Sequence, residues 1–388
     1  MIIALQILFW IVVALVFHTY VGFPVLLSLL SRKKKAEYQQ LSDLPEVTVI
    51  MSLFNEEAVI AQKLQTIVDS NYPQEKLHVL IGSDNSTDRT NEIVSEYAQK
   101  YPFIKLYAYT ERRGKANVIN SLISECPSEI MILSDANVMF DKDTISELMK
   151  PFADENVGLV DSNMINTGLK KDGISIQEKS YISREVRIKN QEGLLWGSMM
   201  GPFGGCFAMR KNLHSPVPKN FLVDDFYICM NVIRKGYKTV NNVDARVYED
   251  VSNNISDEFR RKVRIATGDF QNLHEFRDML FTLRRGVSFS FWSHKVLRWI
   301  TPVLMIIGFG LCVALAFYLK FYLVALLLFV AVLLLIPIDY ILKKLNCNNV
   351  LFRFVTHFFS MNLALFVGMF KAMKGVESGV WKPTKRNQ

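Results

Sequence analysis

The chain is poor in cysteine. Its five cysteines stand far apart, at 126, 206, 229, 312 and 347, with no Cys-x-x-Cys and no Cys/His ligand spacing. That excludes a zinc ribbon and fits buried free thiols in a reducing compartment. The six histidines form no His-Glu-x-x-His pattern, so that zinc-hydrolase signature is absent. There is no Gly-x-Gly-x-x-Gly and no Gly-x-x-x-x-Gly-Lys-Ser/Thr, which removes the dinucleotide fingerprint and the P-loop. The net charge of +8 has no basic-aromatic module to go with it, so nucleic acid is not an expected partner. No small-residue cleavage site follows the first apolar run, so it does not read as a signal peptide.

Apolar residues are abundant, and they concentrate at the two ends. Residues 2–31 are almost uncharged and run into Arg32-Lys33-Lys34-Lys35. This predicts a transmembrane helix over 1–31 whose C-terminal end faces cytoplasm and anionic lipid. Ile300–Tyr318 and Phe321–Leu342 can cross as a hairpin, with Lys320 in the connection and Lys343 and Lys344 back in the cytoplasm. The segment 350–370 carries Arg353, His357 and Asn362. It is read as a third crossing within a region 300–372, with an interfacial position as the alternative. A basic tail fills 373–388. In 286–299, Phe289, Phe291, Trp292 and Trp299 alternate with His294, Lys295 and Arg298. That predicts an interfacial helix with aromatics at headgroup depth and cations in water, or else the wet end of the next crossing. An integral protein of a bacterial inner (plasma) membrane, with its middle in the cytoplasm, is the expected setting.

The middle, 44–280, has the length of one soluble domain. Strands are predicted at Glu46–Ser52, His78–Ser83, Ile104–Thr110, Glu129–Leu133 and Val157–Asp161. Helices are predicted at Ala58–Ser70, Asp88–Lys100, Gly114–Cys126 and Thr144–Phe152. This alternation implies an α/β fold with a mixed, mostly parallel sheet, whose ligands sit beyond the strands' carboxyl ends.

Three polar clusters fall on that edge: SLFNEE (52–57), GSDNSTD (82–88) and SDAN (134–137). Asn55 and Glu56 can bind a base or ribose, or merely open a helix. Helix capping accounts for Asp88 better than for Asp84. Arg112-Arg113-Gly114-Lys115 suits phosphate at a helix start, or a solvated turn. Asp135 and Asn137 lie two apart, so on an extended chain their oxygens point the same way. Together they can hold Mg²⁺ or Mn²⁺. The glycine-rich run 201–210 lets backbone approach a ligand closely, with Gly204 and Gly205 expected on the acceptor side. Asp224 and Asp225 precede an amphipathic helix, and one of them suits a general base toward a hydroxyl. Arg260–Arg264 either clamps a departing diphosphate or flanks the membrane.

Taken in order, SLFNEE, GSDNSTD, GKANVIN, SDAN, GGCFAMRK, DDF and RRKVR resemble family 2 of the inverting glycosyltransferases, the relatives of cellulose, chitin, hyaluronan and poly-N-acetylglucosamine synthases. The resemblance covers about 44–275. It implies a GT-A nucleotide-sugar domain with flanking transmembrane helices. It also implies a UDP-sugar donor, Mg²⁺ or Mn²⁺ at Asp135 and Asn137, and Asn55, Glu56 and Asp84 at the uridine. Lys115, Arg261 and Arg264 then face the diphosphate, and Asp225 is the base beside Asp224, which stands where the family has Glu. The Gln-x-x-Arg-Trp motif of processive synthases falls on Arg261–Ile265, and only Arg264 matches. Transfer of a single sugar to a lipid-linked or other glycan acceptor is therefore as open as polymer synthesis. The expected partners are the donor, that acceptor, membrane lipids and other subunits of a synthase complex. The alternatives are a non-catalytic accessory subunit, a transporter and a nucleotidyltransferase.

Overall fold

The computed structural model describes residues 1–388 except 37, 39, 40, 42, 169–173, 251–253, 285, 346, 348 and 377–388. Most of the expected basic tail thus lies outside the described residues. In chain order the main elements are α1 (Ile2–Ser31), β1 (Val47–Leu53), α2 (Ile60–Val68), β2 (Leu77–Asp84), α3 (Thr90–Lys100), β3 (Ile104–Tyr109) and α4 (Lys115–Ser124). Then come β4 (Ile130–Ser134), β5 (Val138–Phe140), α5 (Thr144–Met149), β6 (Val157–Thr167), α6 (Ser175–Trp196), β7 (Cys206–Arg210), α7 (Asp224–Arg234) and β8 (Lys238–Asp250). The chain closes with α8 (Ile255–Glu275), α9 (Val287–Trp299), α10 (Thr301–Ala316), α11 (Lys320–Lys344) and α12 (Val350–Lys374).

The strands form one sheet in the order β3-β2-β1-β4-β7-β6-β8-β5. β3, β2, β1 and β4 are parallel, while β7 runs antiparallel to both β4 and β6. β8 is parallel to β6, and the short β5 pairs antiparallel with β8. Consecutive residues of β1 from Val47 to Met51 are all buried, as expected of a strand covered on both faces. Val49 and Met51 face a core shared with Leu64 and Val94. Ile50 faces another, shared with Val118, Leu122, Phe226 and Phe291. The register puts Leu53 beside Ser83, and Asp84 beside Tyr109. The β1, β2 and β4 ends thus reach one edge, as the sequence implies. The pattern missed β5, β7, β8, α6 and α8.

Among the described residues, three helices are long and apolar enough to cross a membrane: α1, α11 and α12. Ile3, Ile7 and Trp10 on α1, and Leu327, Leu328 and Leu334 on α11, are exposed, and outward apolar surface of this kind marks contact with lipid or a partner. α10 has 16 residues and meets α9 at a 64° bend. Residues 300–318, expected as a simple crossing, thus belong to a bent pair. α12 is a single helix, and its polar residues turn inward. Arg353 Nε donates to Asp339 at 2.9 Å, and His357 Nε2 lies 2.7 Å from Glu178 of α6.

The segment 286–299 also departs from expectation. Its cations are not in water, and Phe291 and Trp299 pack against Phe226 of α7. His294, fully buried, bridges Glu192 at 2.9 Å and Glu185 at 2.8 Å. Lys295 and Arg298 both donate to Glu185 at 2.7 Å. The reason lies on α6, where Glu178, Glu185 and Glu192 recur every seven residues and so share one helix face. Burial alone would raise the Glu185 carboxyl, but His294, Lys295 and Arg298 outweigh it and hold it well below the carboxylate range.

Glu185→Ala strands two buried cations. We expect it to cost about 3–5 kcal/mol and to lower the thermal-unfolding midpoint in detergent clearly. The exposed pair partner Glu275, changed to Ala, should shift it little.

Candidate active site

The loops after β1 and β2 are laced together. Asn55 adopts a left-handed φ of 54°, which asparagine tolerates. Its Oδ1 accepts from Thr87 N at 2.8 Å, and its own N–H donates to Ser86 Oγ at 3.2 Å. Glu56 N–H donates to Thr90 Oγ1 at 2.8 Å. Asp88 Oδ1 accepts from Thr90 N at 3.0 Å, one residue before the Arg89 cap position of α3. Asp84 does something else. Almost wholly buried at the end of β2, it accepts from Arg112 Nε at 3.1 Å, Arg113 N at 2.6 Å and Gly114 N at 3.0 Å. It fixes the loop that delivers Lys115, and the Arg112 guanidinium lies 3.4 Å from the Phe54 ring centre.

Asp135, Ala136 and Asn137 form a turn between β4 and β5, not the extended segment expected. Both side chains line one cavity, each with its own partner. Asp135 Oδ1 accepts from Lys115 Nζ at 2.8 Å. Asn137 is buried, and its Nδ2 donates to Glu249 Oε1 at 3.0 Å. Lys63, fully buried beneath, donates to Ser134 Oγ at 2.8 Å and to the Val138 carbonyl at 2.5 Å, bracing both sides of the turn.

Asp224 and Asp225 lie in the first turn of α7, one step further into the helix than the sequence suggests. Val223 is the cap residue, without a side-chain bond, so neither carboxylate serves as cap. Lys115 Nζ is 3.8 Å from Asp224 Oδ2. Asp225 Oδ1 accepts from Phe226 N at 2.8 Å. A Cβ at Gly204 would stand 2.6 Å from Asp225 Oδ2, and one at Gly205 would meet Met164 and Val138 at 2.8 Å. Only glycine lets the 201–205 backbone pass this close.

Charges in this group act on one another. Burial disfavours the Lys115 ammonium, but Asp135, Asp224 and Asp225 outweigh it and raise its pKa. Burial, then Asp224, raises Asp225 to about 6 against the pull of Lys115. Burial and Arg261 lower Arg264 to about 10. Arg261 pairs with Glu258 at 3.5 Å, and Lys262 with Glu178 at 3.3 Å. Arg260 points outward, pairing with Asp257.

One cavity of about 1170 Å³ gathers these groups. Every residue expected at the site lines it: Asn55, Glu56, Asp84, Lys115, Asp135, Asn137, Gly204, Gly205, Asp224, Asp225, Arg261 and Arg264. Sequence reasoning missed Glu249, Lys189 and Asp269, which line it too. They sit on β8, α6 and α8, and no motif flags a lone charged residue on such elements. Among the described residues, no three His, Cys, Asp or Glu side chains form a ready metal cage. Oxygen donors predominate around Asp135, and an ammonium already sits against them. That donor set suits a hard dication.

Comparison with known proteins follows this geometry. Residues 48–216 match Glycosyl transferase family 2, and residues 193–342 match Glycosyl transferase family group 2. Probable glycosyltransferase YdaM of Bacillus subtilis (strain 168) is 25% identical over 261 residues, covering 64% of this chain and 60% of that protein. Beta-monoglucosyldiacylglycerol synthase of Nostoc sp. (strain PCC 7120 / SAG 25.82 / UTEX 2576) is 26% identical over 199 residues, covering 51% of this chain and 42% of that protein. The chain thus spans less than two thirds of either relative. The mannosyltransferase PcManGT from Pyrobaculum calidifontis, solved in complex with GDP-Man and Mn²⁺, superposes with a TM-score of 0.69 at 23% identity, covering 94% of this chain and 99% of that one. The mixed sheet is accordingly a GT-A fold. The chain thus carries a glycosyltransferase family 2 domain over residues 48–216, followed by the match to family group 2.

Proposed function

We propose that the chain transfers a sugar from a UDP-sugar to a lipid or glycan acceptor at a membrane surface, inverting the anomeric centre. The observation that carries this reading is the single cavity, which joins Asp84 and Asp135 at the strand ends to Asp225, Arg264 and the apolar face of α12. The donor's base and ribose lie by Asn55, Glu56 and Asp84. Its diphosphate lies by Lys115, Arg261 and Arg264. Mg²⁺ or Mn²⁺ would be held by Asp135, with Asn137 and Glu249 beside it, and when bound supplies positive charge to the leaving nucleotide.

Asp225 takes the proton of the acceptor hydroxyl while that oxygen attacks the anomeric carbon from the face opposite the nucleotide. The C–O bond to the nucleotide breaks in the same step, and UDP leaves. An α-linked donor gives a β-linked product. Lys115 and Arg264 stabilise the charge that builds on the departing diphosphate. The intact carboxylates and the formed cavity argue against the accessory-subunit alternative. The four apolar helices, counting the bent pair as one, support a membrane setting, with the site on the cytoplasmic side.

The direct test is nucleotide release by the detergent-purified protein from a panel of UDP- and GDP-sugars, with Mn²⁺ or Mg²⁺. Release from one UDP-sugar, lost in Asp135→Ala, is expected. Release from GDP-sugars alone would overturn the UDP assignment, and no binding of any nucleotide-sugar would overturn the whole reading.

The base role has its own signature. Asp225 works deprotonated, and its pKa is raised to about 6 by burial and Asp224. kcat/KM should therefore rise as pH rises through about 6 and then level off. Asp225→Asn should lose about 10²–10⁴-fold in turnover while still binding donor. Full activity in that variant would remove Asp225 as the base.

A further inference from the structure

Asp269 on α8 lines a part of the cavity wall that the donor and base assignments do not use. It is 9% exposed and lines the cavity. Among the described residues its carboxyl has no hydrogen-bond or ion-pair partner. Its oxygens open onto the cavity, where a ligand that donates hydrogen bonds can reach them.

Its place is fixed by its neighbours. A Cβ at Gly268 would stand 2.5 Å from Val223 Cγ2, and Asn272 Nδ2 donates to the Val223 carbonyl at 3.1 Å. α8 is thereby clamped onto the residue that leads into Asp224 and Asp225. One residue from that clamp, Asp269 shares the acceptor end of the cavity with Asp225. Burial pushes its pKa up to about 7 against the pull of Lys295, with Asp225 adding to the rise. Near neutral pH this carboxyl can accept or donate a hydrogen bond.

The cations on the α6, α8 and α9 side of the cavity mostly face carboxylates. Lys295 and Arg298 are held by Glu185, Lys262 by Glu178 and Glu258, and Lys189 by Asp161 at 2.5 Å. Arg184 donates to the Tyr20 carbonyl. A phosphate arriving beside Asp225 and Asp269 would meet two carboxylates, and Lys295, Arg298, Lys262 and Lys189 would each have to leave an ion pair to reach it. Hydroxyl groups need only Asp225 and Asp269. The same cavity continues along Phe354, Phe358, Met361 and Leu365 of α12. That helix packs tightly on α8, where a Cβ at Gly368 would lie 2.4 Å from Ala266 Cβ.

We propose that Asp269 binds the acceptor, holding a second hydroxyl beside the one that Asp225 deprotonates, and that the acceptor is an amphiphile with an uncharged polyol head and a hydrocarbon tail along α12. The proposal rests on the glycosyl-transfer reading and names the acceptor class for it.

The test uses the full-length protein in detergent, with whichever sugar donor it accepts. The acceptors are octyl β-glucoside, a polyprenyl phosphate and a tail-less oligosaccharide. Octyl glucoside should be glycosylated in preference to the other two. Asp269→Asn should raise its KM about tenfold or more while leaving donor KM in place, and retained donor binding would report that the variant folds. On the wild-type protein, polyprenyl phosphate should neither accept sugar nor compete. Preference for the phosphate or the tail-less sugar, or an unchanged acceptor KM in Asp269→Asn, would overturn the proposal alone. If no acceptor draws nucleotide from any donor, the transfer reading falls and the proposal with it.

Discussion

The buried glutamates of α6 are the constraint on which the rest depends. Glu185 binds three groups of α9, namely His294, Lys295 and Arg298. Glu192 binds His294 and the Met200 N–H, and Glu178 binds His357 of α12 and Lys262 of α8. A charge this deep is tolerable only with partners in good geometry. The stripe therefore specifies where the apolar helices dock on the sheet domain. It also seats the 201–205 loop, through Met200, and with it the glycine that faces Asp225.

A second network builds the chemistry on that frame. Asp84 spends its oxygens on the 112–114 loop, and the loop aims Lys115 at Asp135 and Asp224. The carboxylates tolerate one another because an ammonium sits among them. Lys63 holds the Asp135 turn from below, and Asn137 steadies Glu249. The result is a pocket that is anionic around Asp224 and Asp225 and cationic where α8 brings Arg261 and Arg264. That separation of charge is what the proposed displacement of a nucleotide by a hydroxyl requires.

Most of the site was legible in the sequence, because its residues follow short apolar strands and strand ends share an edge. The first four strands and their helices came from periodicity alone. β7 and β8 did not, since an antiparallel insertion carries no βα alternation to announce it. α6 was invisible for a sharper reason. Its buried face presents Glu178, Glu185, Lys189 and Glu192, so hydrophobic periodicity reads it as no helix at all. The same charges explain the misreading of 286–299, whose cations look solvated until their glutamates are found. Asp135 and Asn137 come from a turn at Ala136 and not from an extended chain, and both still line the cavity.

The central claim is a single displacement at one cavity, with Asp225 as base. The measurement that tests it most directly is the anomeric configuration of the product, read by proton NMR from an α-linked nucleotide-sugar. The account predicts a β-linkage from the first turnover. An α-linked product would mean retention, and with it a mechanism that this arrangement of Asp225, Lys115 and Arg264 does not describe.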